Sequence, residues 1–230
     1  MDTSRIADLL RPFLVAPLNE SQLAQISTYI DLLLRWNARI NLTAVREPDA
    51  IVTRHFGESL FAAGHLLSRD ATPDIHEEIP ETNVVDVGSG AGFPGLPLKI
   101  FDPSIRLTLL ESNQRKVAFL REVVRALTLR DVDVSPSRAE HFPAATALLV
   151  TLRAVECFEA VLPAAARLVA PKGRLALLIA SSQIPKAINR THSFLWQDPI
   201  PTPLSRNGIL LIGACPAPPD IQSHKAKAPH

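Results

Sequence analysis

The sequence predicts an α/β protein: an open, mainly parallel sheet with crossover helices, preceded by a helical extension. Three observations predict it. The run Asn83-Val84-Val85-Asp86-Val87 is short and valine-rich, as a buried parallel strand is, and glycines follow at 88, 90, 92 and 95. Beyond that corner, short apolar runs alternate with helical patterns, the signature of strands joined by crossovers. Ahead of it, roughly the first 80 residues carry helical spacing instead.

Taken in order, Ser4 to Phe13 reads as one short helix. Asn19 is placed to cap a longer one, in which Leu23, Ile26, Ile30, Leu33, Leu34 and Trp36 lie mostly on one apolar face. Pro48 suits the start of a third, whose buried side is Ile51, Val52, His55, Phe56, Leu60, Ala63 and Leu66. A lone histidine on such a face reads first as a satisfied core residue. Between these helices, the stretch from Arg35 to Thr43 is too polar for a mere connection. The acidic stretch Asp70 to Glu81 reads as a solvated linker. Strands are expected near 83–87, 105–111, 131–135, 147–152 and 174–180, with helices near 95–101, 113–128 and 155–170. Two last strands, near 193–196 and 209–214, flank a loop holding Pro199, Pro201 and Pro203. The tail from Cys215 reads as disordered. The chain thus divides into a helical extension and linker at 1–80, a nucleotide-binding domain at 81–215 and a tail at 216–230.

The 230 residues are 47% apolar and 20% charged, enough for a sizeable core. A net charge of +1 announces no nucleic-acid partner, so any such surface must be a local patch. Cys157 and Cys215 form no C-x-x-C pair and no signal peptide opens the chain, which points to reduced thiols in the cytoplasm. No apolar run reaches the roughly 18 residues of a membrane span. The scattered histidines offer no metal site. The helix near 113–128 is locally basic: Arg115, Lys116, Arg121 and Arg125, extended by Arg130, meet only Glu122. It is either a solvated face or a track for RNA phosphates, joined by Arg138, that would position a substrate without specifying it.

Strand, glycine turn and helix start make the nucleotide-binding corner of such a sheet, with Pro94 suited to the first helical turn. Two nucleotides fit. Gly90-x-Gly92-x-x-Gly95, with Glu111 about 20 residues on, satisfies the dinucleotide fingerprint. Asp86-x-Gly88-x-Gly90-x-Gly92 satisfies the pattern of class I S-adenosylmethionine methyltransferases. In that reading Asp86 steers a cationic amino group, where a dinucleotide would have a pyrophosphate. Asp86 could also merely satisfy backbone groups at a strand end.

A longer series of motifs bears on the choice. Trp36-Asn37 with Asn41-Leu42-Thr43, Arg54-His55 with Ser59, the glycine corner with Phe93-Pro94-Gly95 and Pro97, Leu110-Glu111-Ser112 with Lys116, Phe119 and Leu120, Ser137-Arg138-Ala139-Glu140 with Phe142, and Arg153-Ala154 follow in that order. From about residue 20 to 155 the chain resembles the RsmG (GidB) family. Those bacterial enzymes methylate N7 of guanine 527 in 16S ribosomal RNA. The resemblance implies a Rossmann-like class I methyltransferase sheet, S-adenosylmethionine as cofactor, and 16S rRNA or a small-subunit assembly particle as partner, with no metal and no membrane. It implies that Asp86, Gly88, Gly90, Gly92 and Phe93 form the cofactor loop, that Glu111 takes the ribose hydroxyls, and that Ala139 and Glu140 flank the adenine. Arg153 would lie where cofactor and target base meet.

Three departures from the family pattern stand beside these matches. Leu148 replaces an acid, Leu152 a serine, and Ile179-Ala180-Ser181 a Leu-Lys-Gly. They are expected beside the site, and so suggest a catalytically weakened cofactor- or RNA-binding protein as the alternative. A nicotinamide dehydrogenase stands third. Guanine N7 carries a lone pair and no proton, so its methylation needs no base. Leu152-Arg153-Ala154-Val155 lacks both the N/D-P-P-Y/F motif of amine methylation and a cysteine nucleophile, and Cys157 is expected inside a helix.

Overall fold

Strands β1 (Asn83–Val87), β2 (Arg106–Leu110), β3 (Val132–Ser135), β4 (Ala147–Arg153), β5 (Val169–Ala180), β6 (Leu195–Trp196), β7 (Ile200–Pro201) and β8 (Gly208–Ala214) form one sheet in the order β3-β2-β1-β4-β5-β8-β6, with β7 also on β8. The computed structural model describes residues 1–67, 82–155 and 157–217; the stretch Asp70 to Glu81 and the tail beyond 217 lie outside the described residues. The first five strands run parallel and β8 returns antiparallel between β5 and β6. Strand order reverses between β1 and β4, which opens a crevice at their carboxyl ends.

Both faces of the sheet are covered, which is why its strands are apolar runs rather than alternations. Val84, Leu149, Ala176 and Leu210 belong to one core, and their neighbours Val85, Val150, Leu177 and Leu211 to the other. The second core is closed by α7 (Phe158–Leu168) and α8 (Ile184–Arg190). The first core receives α5 (Gly95–Phe101) and α6 (Gln114–Ala126) together with the whole extension.

The extension consists of α1 (Thr3–Leu10) with a 3-10 turn (Arg11–Phe13), α2 (Glu20–Asn37), α3 (Pro48–Ile51), a π-helical stretch (Val52–Gly57) and α4 (Glu58–Leu67). Asn19 caps α2 with a reciprocal box: its Oδ1 accepts from Gln22 N and its own N donates to Gln22 Oε1, both at 2.9 Å. Gln22 then donates to the carbonyls of Ile100 and Phe101, and Gln25 to that of Leu127, so α2 satisfies the last carbonyls of α5 and α6. One apolar core therefore runs across the division expected near residue 80.

The expected strands are all present, and the two-residue β7 is added inside the stretch expected to be a proline-rich loop. β5 begins at Val169, because a register shift opposite Ala147–Leu149 lets the chain pair before and after Lys172, whose φ is +65°. α8, absent from the sequence reading, is only 7 residues long with one buried side chain, Ala187, too few for a legible period. Pro94 is the N-cap of α5 rather than part of its first turn.

Gly92 shows how tightly the extension meets the glycine corner. Its φ is +89°, and a Cβ there would run into the Tyr29 hydroxyl and sit 2.5 Å from Leu96 Cδ1. Gly64, in α4, has nothing within 4 Å of such a Cβ. In urea unfolding, Gly92→Ala is expected to cost about 1–3 kcal/mol. Gly64→Ala should instead gain about 0.4–1 kcal/mol through a less flexible unfolded chain. Equal effects at the two positions would contradict this packing.

Candidate active site

The crevice at the carboxyl ends of β1, β2 and β4 is a cavity of about 760 Å3. Its floor is the glycine loop, Gly88 to Ala91 with Phe93. Glu111 and Asn113 stand at the end of β2, Ala139 and Glu140 follow β3, and Arg153 to Val155 close β4. The remaining wall comes from the extension: Leu42, Thr43, Ala44 and His55.

Glu111 is 7% exposed, and each of its oxygens accepts one backbone hydrogen bond, Oε2 from Gly90 N at 2.9 Å and Oε1 from Asn113 N at 2.7 Å. It thereby ties the glycine loop to β2. A carboxylate oxygen accepts more than one bond, so both keep capacity toward the cavity. The turn at Ala139–His141 is braced from α7, where Arg167 Nη2 donates to the carbonyls of Ala139, Glu140 and Phe142.

Arg153 leaves the last position of β4 and meets the extension. Its Nη2 lies 2.8 Å from Glu58 Oε2, donates to the Arg54 carbonyl and lies 3.3 Å from His55 Nδ1. The two charged side chains are only 11% and 21% exposed. Burial presses the guanidinium below its ordinary pKa and Glu58 opposes that shift; an arginine stays protonated regardless. The π-helical stretch matters here, since its wider turn presents the Arg54 carbonyl and the His55 ring to the same cation.

Phe93 is held between rings. Tyr29 stacks on it with centroids 5.4 Å apart and planes 1° off parallel, and His55 stacks at 4.9 Å. The Tyr29 hydroxyl donates to the Ala91 carbonyl, so α2 grips the loop by its backbone as well. Burial, then Arg153 and Arg54, push the His55 pKa down to about 3. The ring is neutral near pH 7.

The family model described as rRNA small subunit methyltransferase G, GidB, matches residues 22–197. The chain belongs to that family. The protein of that name from Chloroflexus aggregans is 42% identical over 170 residues, covering 69% of this chain and 67% of its own length. Its counterpart in Roseiflexus sp. strain RS-1 is 46% identical over 123 residues, but there the match spans only 48% of the relative and 54% of this chain. Among solved structures, a predicted O-methyltransferase from Agrobacterium tumefaciens superposes with a TM-score of 0.51 at 16% identity, over 65% of this chain and 86% of that one. The fold is that of a class I methyltransferase.

Placed on this GidB framework, the expected loop residues Gly88, Gly90 and Phe93, with Glu111, Ala139, Glu140 and Arg153, line one cavity. Two others do not. Gly92 turns toward Tyr29 and Leu96. Asp86 is fully buried behind the loop, paired in register with Thr151, whose Oγ1 donates to its Oδ1 at 2.7 Å. Asp86 thus lies beneath the loop and does not line the cavity. Burial pushes its carboxyl up to about 6, against the Thr151 hydrogen bond. The basic residues separate. Lys116 and Arg138 stand at the cavity, Arg121 and Arg125 line a different groove of about 450 Å3 with Arg130, and Arg115 lines neither.

Other expectations change as well. Leu148 sits at the opposite end of β4 from Arg153, about 17 Å along the strand. Leu152 packs into the second core and Ala180 caps a 3-10 turn, so none of the three departures lines the cavity. Cys157 lies ahead of α7 rather than inside it, on the cavity wall, and none of the described groups hydrogen-bonds to its thiol. His55 is part of the site rather than of the core alone. Glu58 and Tyr29 were missed; Thr43 stands in the Asn41-Leu42-Thr43 motif but was given no role. Among the described residues no cluster of His, Cys, Asp and Glu could hold a metal, and no helix is long and apolar enough to cross a membrane.

The neutral state of His55 has a measurable sign. A ring with its folded pKa near 3 and its unfolded pKa near 6.5 is protonated first in the unfolded chain, so its contribution is full above about pH 6.5 and is lost as pH falls toward 3. Asp86, raised from 3.8 to about 6, acts in the opposite sense between those values in any variant that keeps it. The stability difference between wild type and His55→Gln in urea unfolding should be constant above pH 6.5. Below that it should shrink by up to about 1.4 kcal/mol per pH unit. A gap independent of pH would contradict a buried neutral ring.

Proposed function

We propose that this chain transfers a methyl group from S-adenosylmethionine to N7 of a guanine in 16S ribosomal RNA, the guanine 527 implied by resemblance, in the cytoplasm. One observation carries the reading. The cavity joins a glycine loop and Glu111 on one side to a buried guanidinium, Arg153, on the other. Its volume of about 760 Å3 suits a nucleoside cofactor with room for a base, within the usual range of about 300–1,000 Å3 for small-ligand sites.

The residues present fit that cofactor. Glu111 offers its remaining lone pairs to ribose hydroxyls, Ala139 and Glu140 would flank the adenine as the resemblance implies, and Gly90 leaves the space above the loop free of side chains, while Gly88 lets Val155 approach the loop closely. Bound there, S-adenosylmethionine supplies a sulfonium methyl that the in-plane lone pair of N7 takes while the thioether departs, with no proton to abstract. His55 cannot serve as a base, since Arg153 and Thr43 occupy its two nitrogens. Arg153 does not stabilise the transition state by charge, because methyl transfer moves positive charge onto the guanine. Its planar fork orients the reactants instead. A catalytically weakened protein is disfavoured because the departures that suggested it lie off the cavity.

Calorimetry with S-adenosylhomocysteine is expected to show binding, and none with NAD. Glu111→Ala should weaken it by about 1.5–3 kcal/mol, the range for hydrogen bonds to a charged group. With labelled S-adenosylmethionine and 16S rRNA, free or in small-subunit particles, the labelled nucleoside should be 7-methylguanosine. Label in another nucleoside, or tight NAD binding, would overturn the reading.

The groove of Arg121, Arg125 and Arg130 lies on α6, whose first turn opens at the cavity. As a phosphate track it would contribute to RNA affinity alone. Each charge removed at Arg121 or Arg125 should flatten the dependence of log affinity on log salt by about 0.7–0.9. Cofactor affinity should not move. An unchanged salt slope would return this face of α6 to simple solvation.

A further inference from the structure

Thr43 lines the cavity beside His55. Its position is well held. Asn37 Oδ1 accepts from Leu42 N at 2.9 Å and from Thr43 N at 3.0 Å, while Asn37 Nδ2 donates to the Thr43 carbonyl at 2.9 Å. The side chain accepts from Val45 N at 3.1 Å, and its Oγ1 lies 2.8 Å from His55 Nε2.

Which partner donates across that last contact is decided on the other side of the ring. Arg153 Nη2 lies 3.3 Å from His55 Nδ1 while donating to the Arg54 carbonyl and Glu58, so a hydrogen on Nδ1 would face a cation and find no acceptor there. Nδ1 is therefore the bare nitrogen, and the hydrogen of the neutral ring is on Nε2, which donates to Thr43. A hydroxyl has two lone pairs and one hydrogen. Val45 and His55 use both lone pairs of Thr43, and its own hydrogen has no acceptor among the described residues.

We propose that Thr43 donates this hydrogen to the O6 carbonyl of the target guanine and so lets the site tell guanine from adenine. The proposal rests on the guanine-N7 reading above. On the edge that carries N7, guanine presents a second acceptor, O6, where adenine presents an amino donor. A hydroxyl whose lone pairs are both taken cannot turn round to accept from that amine. Arg153, on the other side of the His55 ring, also only donates. An adenine would therefore bring a donor against donors, and one buried polar group would stay unpaired. A bond to O6 leaves the N7 lone pair free for the methyl group.

The test is methyl transfer to 16S rRNA carrying either guanine or 2-aminopurine at the target position. The second base keeps N7 and lacks O6. Wild type is expected to lose on the order of tenfold in kcat/KM on 2-aminopurine. Thr43→Val should be slower by a similar factor on guanine and show no further loss on 2-aminopurine. Thr43→Ser should behave as wild type, and all three should bind S-adenosylhomocysteine equally. A valine variant that still discriminates as wild type does would overturn the proposal and leave Thr43 as a clamp on its loop. So would a wild type indifferent to O6, a result that needs no variant to fold. If wild-type enzyme puts no methyl group on N7 of guanine, the underlying reading fails, and this one with it.

Discussion

The buried pair of Arg153 with Glu58 is the interaction on which the cavity depends. Arg153 ends β4 at the crevice of the sheet, and Glu58 begins α4 of the extension. A cation so far out of water must be matched, because breaking such a pair leaves a charge that the interior cannot solvate. The extension matches it with a carboxylate and a carbonyl, which take the two hydrogens of Nη2, and sets a bare ring nitrogen beside them. The consequence is geometric. The guanidinium is held as part of a wall, and two stretches of chain far apart in sequence close one site.

The same junction is sealed by aromatic packing. Tyr29 and His55 hold Phe93 between them, and Phe56 meets Phe93 edge-on at 5.1 Å. Such contacts add about 0.5–1.5 kcal/mol each beyond burial. Because Phe93 belongs to the glycine loop, stiffness of the extension becomes stiffness of the cofactor floor. Thus the sheet supplies the glycine-loop side of the cavity, and the extension supplies the other wall. The proposed mechanism, in which acceleration comes from holding reactants rather than from proton transfer, requires both to be rigid.

Much of this was legible in the sequence because the physical signals were local. A valine run before glycines, a capping asparagine three residues before a glutamine, and helical spacing in α2 and α6 each state their structure within one or two turns. What was not legible depends on partners distant in sequence. Asp86 matches a ligand-steering pattern, but its register opposite Thr151 turns it inward. Leu148 and Arg153 are close in sequence yet stand at opposite ends of one strand. His55 reads as a core residue on a helical face, and only the π-helical turn and Arg153 make it part of a site. Thr43 stands in a motif that does not state its contacts, and Glu58 has no motif at all; their roles exist only where extension and sheet meet.

The central claim is that Arg153, held by the extension, acts through its planar fork and not simply as a positive charge. The most direct measurement is methyl transfer by Arg153→Lys, which keeps a cation opposite Glu58. The variant should bind S-adenosylhomocysteine as wild type does and unfold at a similar urea concentration. Its turnover on 16S rRNA should fall on the order of 100-fold, the scale on which lost alignment is felt. A lysine variant that methylates 16S rRNA at the wild-type rate would contradict the account.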